Sequence, residues 1–377
     1  MTHKKILIVS GEPSGDLHAS NLIADLKSLD PGLEFFGLGG KLSERAGAEI
    51  LYDIADLAIV GIVDVVKNAF KIRSAHKRLI ERMDAAKPDL AILVDYPGFN
   101  LHLAGQLHKR GIPIVYYISP QVWAWGARRI VLIRRCVKKI VVFFKFEEEL
   151  YKKHGIDAAF VGHPLIDTVK PSHDKAWVFA KYGLSTGKKT IALLPGSRMS
   201  EVSSLLPAMV ENCKIIDKKL GGAQFIASKH PSIPMELYKK VVNGSGLNIV
   251  LAEADTYDII AASDLAIAAS GTVTLETAIL GTPYVLVYKS SLVNYIAYRI
   301  VRKTPYLGIA NIVAGKAVIP EFLQFDMTPE KISGAAVDIL THEDKRSKMV
   351  SDLKGIRLAL GSPGASKRAA SVIAPIL

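Results

Sequence analysis

The sequence predicts an α/β protein built as two doubly wound parallel-sheet domains. Short apolar runs such as Ile6–Ser10 and Leu90–Val94 alternate with amphipathic helical stretches along the chain. That is the rhythm of parallel strands joined by crossover helices. The rhythm pauses once, in the polar stretch Lys170–Lys189, and then starts again. The length of 377 residues, with 49% hydrophobic and 22% charged residues, suffices for two globular cores.

The first series begins with a strand at Ile6–Ser10, a loop at Gly11–Asp16 and a helix over Leu17–Leu29. Strands follow at Phe35–Leu38, Leu90–Val94, Ile114–Ile118 and Lys139–Phe144. Pro171 and a Gly-Lys-Lys turn mark a hinge near residues 165–185. The second series holds strands at Thr190–Leu194, Gln224–Ala227, Asn248–Leu251, Leu265–Ala269 and Tyr284–Tyr288. The expected division is 1–168, 169–354 and a helical tail, 355–377, docking on the first domain or on a partner chain. Ligands of such sheets sit at the carboxyl ends of strands. The loops at Gly11, Asp95, Ser119, Pro195 and Ser270 are therefore candidates as a set.

Composition narrows the function. Cys136 and Cys213 stand far apart in no metal-binding spacing, which argues against a disulfide framework and fits a reducing compartment. No apolar run reaches transmembrane length, and the first one is too short for a signal peptide, so a cytoplasmic location is expected. The net charge of +12 calls for an anionic partner, and its basic residues gather in Lys67–Arg82 and Arg128–Lys139. No nucleic-acid motif accompanies them. The chain lacks GxxxxGK[ST], a strand-borne GxGxxG, GxSxG, HExxH and D-x-D. P-loop, dehydrogenase and metalloprotease chemistry recede, and so does the usual metal-diphosphate clamp.

Ser270-Gly-Thr-Val-Thr-Leu-Glu276 closes the run Leu265–Ala269. A strand turning through Ser-Gly-Thr into a helix aims free amides and the helix dipole at one point. Ser270, Gly271 and Thr272 thus suit a diphosphate, and Glu276, one turn on, suits ribose hydroxyls. An ordinary capped helix reads the same way. Leu193-Leu-Pro-Gly-Ser-Arg198 with Glu201 is a second such loop, with Gly196 and Ser197 at the turn. Arg198 offers paired donors to phosphate, or else a surface ion pair with Glu201; beside the Ser270 loop the phosphate reading is preferred.

Gly11-Glu-Pro-Ser-Gly-Asp16 is acidic, so it repels phosphate and suits sugar hydroxyls, or simply caps the next helix through Ser14 or Asp16. Asp95 closes its strand beside Pro97 and Gly98, as a general base or as a turn-bonding Asp. Ser119-Pro-Gln-Val-Trp-Ala-Trp125 carries two loop tryptophans, which serve as core anchors or face an anionic amphiphile. The stretch 57–73 joins Ile62, Val63, Val65, Val66 and Phe70 to basic residues. It reads as a membrane-interface helix or a core helix with a basic rim, and the net charge favours the membrane.

Taken in order, GEPSGD (11–16), D-x-P-x-F-N (95–100), SPQVWAW (119–125), VGHP (161–164), PGSR-x-x-EV (195–202) and ASGTVTLE (269–276) are far more specific than any one of them. The chain closely resembles the lipid-A-disaccharide synthase family from the first strand to about residue 315, Asn311 included. The resemblance implies two Rossmann-like domains of GT-B architecture with an interdomain cleft. The first domain would bind the acylated acceptor and the second UDP. It implies inverting transfer from UDP-2,3-diacylglucosamine to the 6-hydroxyl of 2,3-diacylglucosamine 1-phosphate, with no metal or cofactor and no nucleic acid. A peripheral place on the inner face of the cytoplasmic membrane follows, against an anionic surface. A homodimer is an open option for the segment after Pro363.

Residue by residue, the resemblance makes Asp95 the catalytic aspartate, with Glu12 and Asp16 as the other acids. Arg198, Gly196, Ser197, Glu201, Ser270, Gly271, Thr272 and Glu276 would hold the nucleotide. Ser14, Gly15, Asn100, Gln121, Trp123, Trp125 and Asn311 would lie on the sugar side. Many members carry a second Asp where this chain has Gly98; were that the base, Glu12 or Asp16 would have to act here. Rivals on the same architecture are a UDP-N-acetylglucosamine 2-epimerase and the peptidoglycan N-acetylglucosaminyltransferase, neither of which accounts for SPQVWAW.

Overall fold

The computed structural model describes residues 3–54, 69–123, 127–292, 295 and 304–377. The chain divides into two compact units, Met1–Pro164 with Ser362–Leu377, and Leu165–Gly361.

The first unit is a seven-stranded parallel sheet of β1 (Lys5–Ser10), β2 (Glu34–Gly39), β3 (Ala48–Asp53), β4 (Leu90–Val94), β5 (Ile114–Tyr117), β6 (Lys139–Val142) and β7 (Ala158–Phe160). Its order is β3-β2-β1-β4-β5-β6-β7. Alternate residues of β1 feed opposite cores. Leu7 and Val9 join the cluster with Leu93, Tyr116 and Ile140. Ile6 and Ile8 join the one with Leu22, Ile92 and Tyr117. Burial on both faces is why these strands read as unbroken apolar runs.

The second unit repeats the plan with β8 (Lys189–Leu194), β9 (Ala223–Ser228), β10 (Ile249–Ala252), β11 (Leu265–Ala269), β12 (Tyr284–Tyr288) and β13 (Glu321–Leu323). The order is β10-β9-β8-β11-β12-β13, again parallel. Chain order reverses between β1 and β4 in one sheet and between β8 and β11 in the other. Those two points are where doubly wound sheets open for ligands.

The edge strands β3, β7 and β13 are absent from the sequence reading. β7 and β13 have only three residues each, and all three strands are only partly buried, so their hydrophobic signal is weak. The stretch Lys170–Lys189 is not merely a pause. It holds the helix Lys175–Tyr182, capped by the Asp174 carboxylate, with Val178 and Phe179 buried. The buried Asp258 accepts from the Ser172 and His173 amides and fastens this segment to the second unit. Residue 355 lies inside the helix Glu343–Ala359, which buries Leu353 and Ile356. The return to the first unit comes only at Ser362. There the helix Ala365–Ile373 lays Ala369, Ala370 and Ile373 against Leu22, Ile23 and Leu26. Arg368 donates to the carbonyls of Val161 (2.8 Å), Ser362 (2.6 Å) and Pro363 (2.7 Å).

Among the described residues no helix is long and apolar enough to cross a membrane. Ile62, Val63, Val65, Val66 and Trp125 lie outside the described residues, as does the side chain of Phe70.

Candidate active site

At the reversal point of the second sheet lies a cavity of about 620 Å³. Arg198, Gly196, Ser197, Glu201, Ser270, Gly271, Thr272 and Glu276 all line it. The loop after β8 turns at Gly196, whose φ of +108° suits glycine. A Cβ there would also stand 2.5 Å from Glu201 Oε2. Glu201 accepts from the amides of Ser197 (3.1 Å) and Arg198 (3.2 Å), and from Arg198 Nη1 at 2.9 Å. The Glu201 carboxylate thereby caps the start of the helix Met199–Leu220. Glu201 therefore shapes the loop, and the Arg198 guanidinium, 71% exposed, stays at the cavity rim.

After β11 the chain passes Gly271 (φ +155°) into the helix Thr272–Leu280. Thr274 closes the turn, its Oγ1 donating to the Gly271 carbonyl at 2.7 Å. The first amides of the helix have no intrahelical acceptor, and Thr272 and Val273 line the cavity. Amides, the helix dipole and a guanidinium around one space make an anion site. Glu276 stands one turn deeper and accepts from Tyr257 Oη at 3.2 Å. Burial raises its pKa above the usual carboxylate value, and the Tyr257 bond opposes that rise.

Sequence reasoning missed the other wall. Ser228 ends β9 and Lys229 and His230 follow it, while Glu253, Thr256 and Tyr257 follow β10. Ser228 Oγ and Thr256 Oγ1 are 2.7 Å apart, and Lys229 Nζ lies 3.8 Å from Glu253 Oε2. The rule that selected the loops after β8 and β11 selects these as well; their lack of a glycine turn hid them.

The first unit presents carboxylates in the corresponding place. Asp95 and Tyr96, leaving β4, have φ of 45° and 47°. Left-handed backbone at non-glycine residues costs on the order of 1–3 kcal/mol each and persists only when the surroundings enforce it. The enforcement is visible. The Asp95 amide donates to the Tyr117 carbonyl at 3.0 Å. Its own carbonyl accepts from Tyr116 Oη at 2.6 Å and from Asn100 Nδ2 at 2.8 Å. The Tyr96 ring lies on Gly11, where a Cβ would approach it to 2.1 Å. Burial and the facing Glu12 carboxylate push the Asp95 pKa up to about 6. Glu12 is exposed at the start of the helix Pro13–Leu29, with no side-chain cap bond. Ser14 is exposed beside it, and Gly15 is buried near Ser10. A Cβ at Gly98 would meet nothing within 4 Å, so that position has room for a second carboxylate.

Three expected site residues brace the backbone around them. Asp16 is 4% exposed. It accepts from the amides of Gly40, Leu42 and Ser43 and from Ser43 Oγ, anchoring the loop after β2. So occupied, its carboxylate holds that loop and does not cap its own helix. Asn100 is fully buried and its amide nitrogen serves the carbonyls of Val9, Val94 and Asp95, so it supports the loop. Asn311 is likewise buried. It bonds Val318, Ile319 and Glu321 and pins the segment leading to β13.

In the tryptophan loop Gln121 is exposed, while Trp123 Nε1 donates to Glu147 Oε1 at 3.1 Å. Ser119 Oγ donates to the same oxygen at 2.9 Å. Burial pushes Glu147 up to about 7, against those two bonds. Nearby His18 and His163 pack on Phe143, and burial lowers them to about 4 and about 3. Glu147, Tyr116 and His18 gave no sequence signal, because nothing in their local sequence separates a polar residue that is buried from its exposed neighbours.

The family model described as Lipid-A-disaccharide synthetase matches residues 6–375. A lipid-A-disaccharide synthase of Syntrophus aciditrophicus is 41% identical over 371 residues, covering 98% of this chain and 97% of that one. Its counterpart in Myxococcus xanthus is 40% identical over 374 residues, with 99% and 97% covered. Among solved structures, the UDP-GlcNAc 2-epimerase of Neisseria meningitidis bound to UDP-GlcNAc superposes with a TM-score of 0.63. It covers 98% of this chain and 100% of its own at 13% identity, a likeness of fold.

Proposed function

The chain belongs to the lipid-A-disaccharide synthetase family, a glycosyltransferase that makes the lipid A disaccharide, and we propose how its residues divide that reaction. The donor is UDP-2,3-diacylglucosamine and the acceptor 2,3-diacylglucosamine 1-phosphate. The second unit holds the nucleotide. The amides of Thr272 and Val273 and the Arg198 guanidinium take the diphosphate, and Glu276 takes the ribose hydroxyls. The strongest support is the 620 Å³ cavity, in which all eight residues expected at the nucleotide converge on one helix start.

In the first unit Asp95 removes the proton from the acceptor's 6-hydroxyl as that oxygen attacks the anomeric carbon from the face opposite UDP. The bond to the β-phosphate oxygen breaks, the configuration inverts and a β-1,6 linkage forms. The charge left on UDP meets preorganised amides and Arg198, which supports departure without a metal. Burial, aided by the facing Glu12 carboxylate, keeps the Asp95 carboxyl basic enough to accept a proton near neutral pH.

The acyl chains place the enzyme at an anionic membrane surface on the cytoplasmic side. The helix Ala127–Cys136 supports this, with Arg134 and Arg135 exposed beside Val131, itself 64% exposed. Replacing Val63, Val65 and Val66 by Ser should weaken sedimentation with anionic vesicles while the fold persists; unfolding would make that segment core.

UDP release in mixed micelles with EDTA tests the reaction. Release that depends on acceptor, comes only from the acylated donor and yields a disaccharide by mass spectrometry is expected. Turnover of unacylated UDP-N-acetylglucosamine alone would overturn the proposal.

A further inference from the structure

The strained pair Asp95–Tyr96 is held by donors that a plain core would not need. Tyr116 is fully buried on β5, the strand beside β4, and its hydroxyl bonds the Asp95 carbonyl at 2.6 Å. Its neighbour Tyr117 is equally buried, yet the Tyr117 hydroxyl has no hydrogen-bond partner among the described residues. Two adjacent tyrosines thus fill two cores, and one of them spends its hydroxyl on the carbonyl of a left-handed aspartate. Asn100 Nδ2 converges on the same oxygen at 2.8 Å. From the other side the Tyr96 ring is fitted to Gly11 and stacks on Phe99.

We propose that Tyr116 is a positioning residue for the glycosyl transfer, its phenol locking the left-handed Asp95–Tyr96 turn so that the Asp95 carboxylate is presented to the acceptor hydroxyl. The inference rests on the reading of Asp95 as the base. With the hydroxyl gone, the carbonyl loses its shortest bond and the turn relaxes toward ordinary backbone. The carboxylate then moves off its line to the hydroxyl and becomes wetter. Small displacements of this kind are costly, because catalysis depends on near-attack geometry. Tyr116→Phe deletes one oxygen and leaves the ring to fill the core.

The test compares Tyr116→Phe, Tyr117→Phe and Asp95→Asn in the micellar assay, from about pH 5 to about pH 9. Tyr116→Phe should lower kcat by roughly tenfold to a hundredfold with the KM of both substrates nearly unchanged. Its acid limb should move to lower pH as Asp95 gains water, while Tyr117→Phe follows the wild type in both. Wild-type kcat and acid limb for Tyr116→Phe, beside an inactive Asp95→Asn, would overturn the positioning role alone. Lowered thermal stability and kcat with the acid limb in place would reduce Tyr116 to a structural role, which also overturns it. Near-normal turnover of Asp95→Asn would remove the base reading and this inference with it.

Discussion

The two units share a topology and use its reversal point in opposite ways. In the second unit the turns after β8 and β11 are made by Gly196 and Gly271, residues that adopt positive φ at no steric cost. The result is two relaxed turns, and the one after β11 leaves the first helical amides, Thr272 and Val273, without an intrahelical acceptor. In the first unit the turn after β4 is made by Asp95 and Tyr96, which adopt positive φ only under enforcement by Tyr116, Asn100 and the Gly11 contact. Glycine leaves backbone bare at the turn, whereas a strained residue with a side chain presents a functional group at a defined angle. The fold supplies the position, and the residue type at the turn decides the chemistry.

The largest effect should come from the strained side. Asp95→Asn is expected to cut turnover by roughly 10²–10⁴ with UDP affinity nearly intact. In the wild type, activity should fall as pH drops through about 6, where the raised carboxyl takes up its proton. Comparable losses of UDP affinity and turnover would mean that the two sites do not divide the work.

Glu147 should show next. Its folded pKa of about 7 lies above the usual carboxylate value of 4.5. The stability linked to its neutral form is therefore complete below about pH 4.5 and lost as pH rises through 7. The difference is about 3 kcal/mol. Glu147→Gln, which keeps an acceptor for Ser119 and Trp123, should raise the melting temperature at alkaline pH, with the gap closing under acid. A gap independent of pH would mean that Glu147 is already solvated.

On the relaxed side, Gly196→Ala strains the loop and collides with Glu201. It should weaken UDP binding by about tenfold, roughly 1.4 kcal/mol, as read by calorimetry, without shifting the acid limb that reports Asp95. The smallest effect belongs to the exposed Arg198–Glu201 pair. Arg198→Ala should change thermal stability by less than about 1 kcal/mol while raising the KM for the UDP-sugar. A large stability loss would make the arginine a structural cap.

Much of this was legible in the sequence, for reasons that differ residue by residue. Central strands such as Leu90–Val94 and Leu265–Ala269 announce themselves because burial on both faces demands continuous apolar runs. Ser270 through Glu276, and the turn at Gly196, are readable because a free helix start requires small residues in consecutive order. Asp16, Asn100 and Asn311 look identical to site residues on paper. Each is a polar residue next to a motif, and only its partners in the folded chain show that it braces the backbone.

The sequence by itself determined the alternation of strands and helices, the two series and the family, since these depend on local periodicity and on contiguous motifs. Which polar groups face the ligand and which are consumed inside was decided only by the tertiary structure. Hydrogen bonds such as Tyr116 to Asp95 and Ser119 to Glu147 join residues 21 and 28 positions apart. The same packing sets the burial that moves Asp95 and Glu147 toward neutral pH. Desolvation is a property of the surrounding volume, and no stretch of sequence encodes it alone.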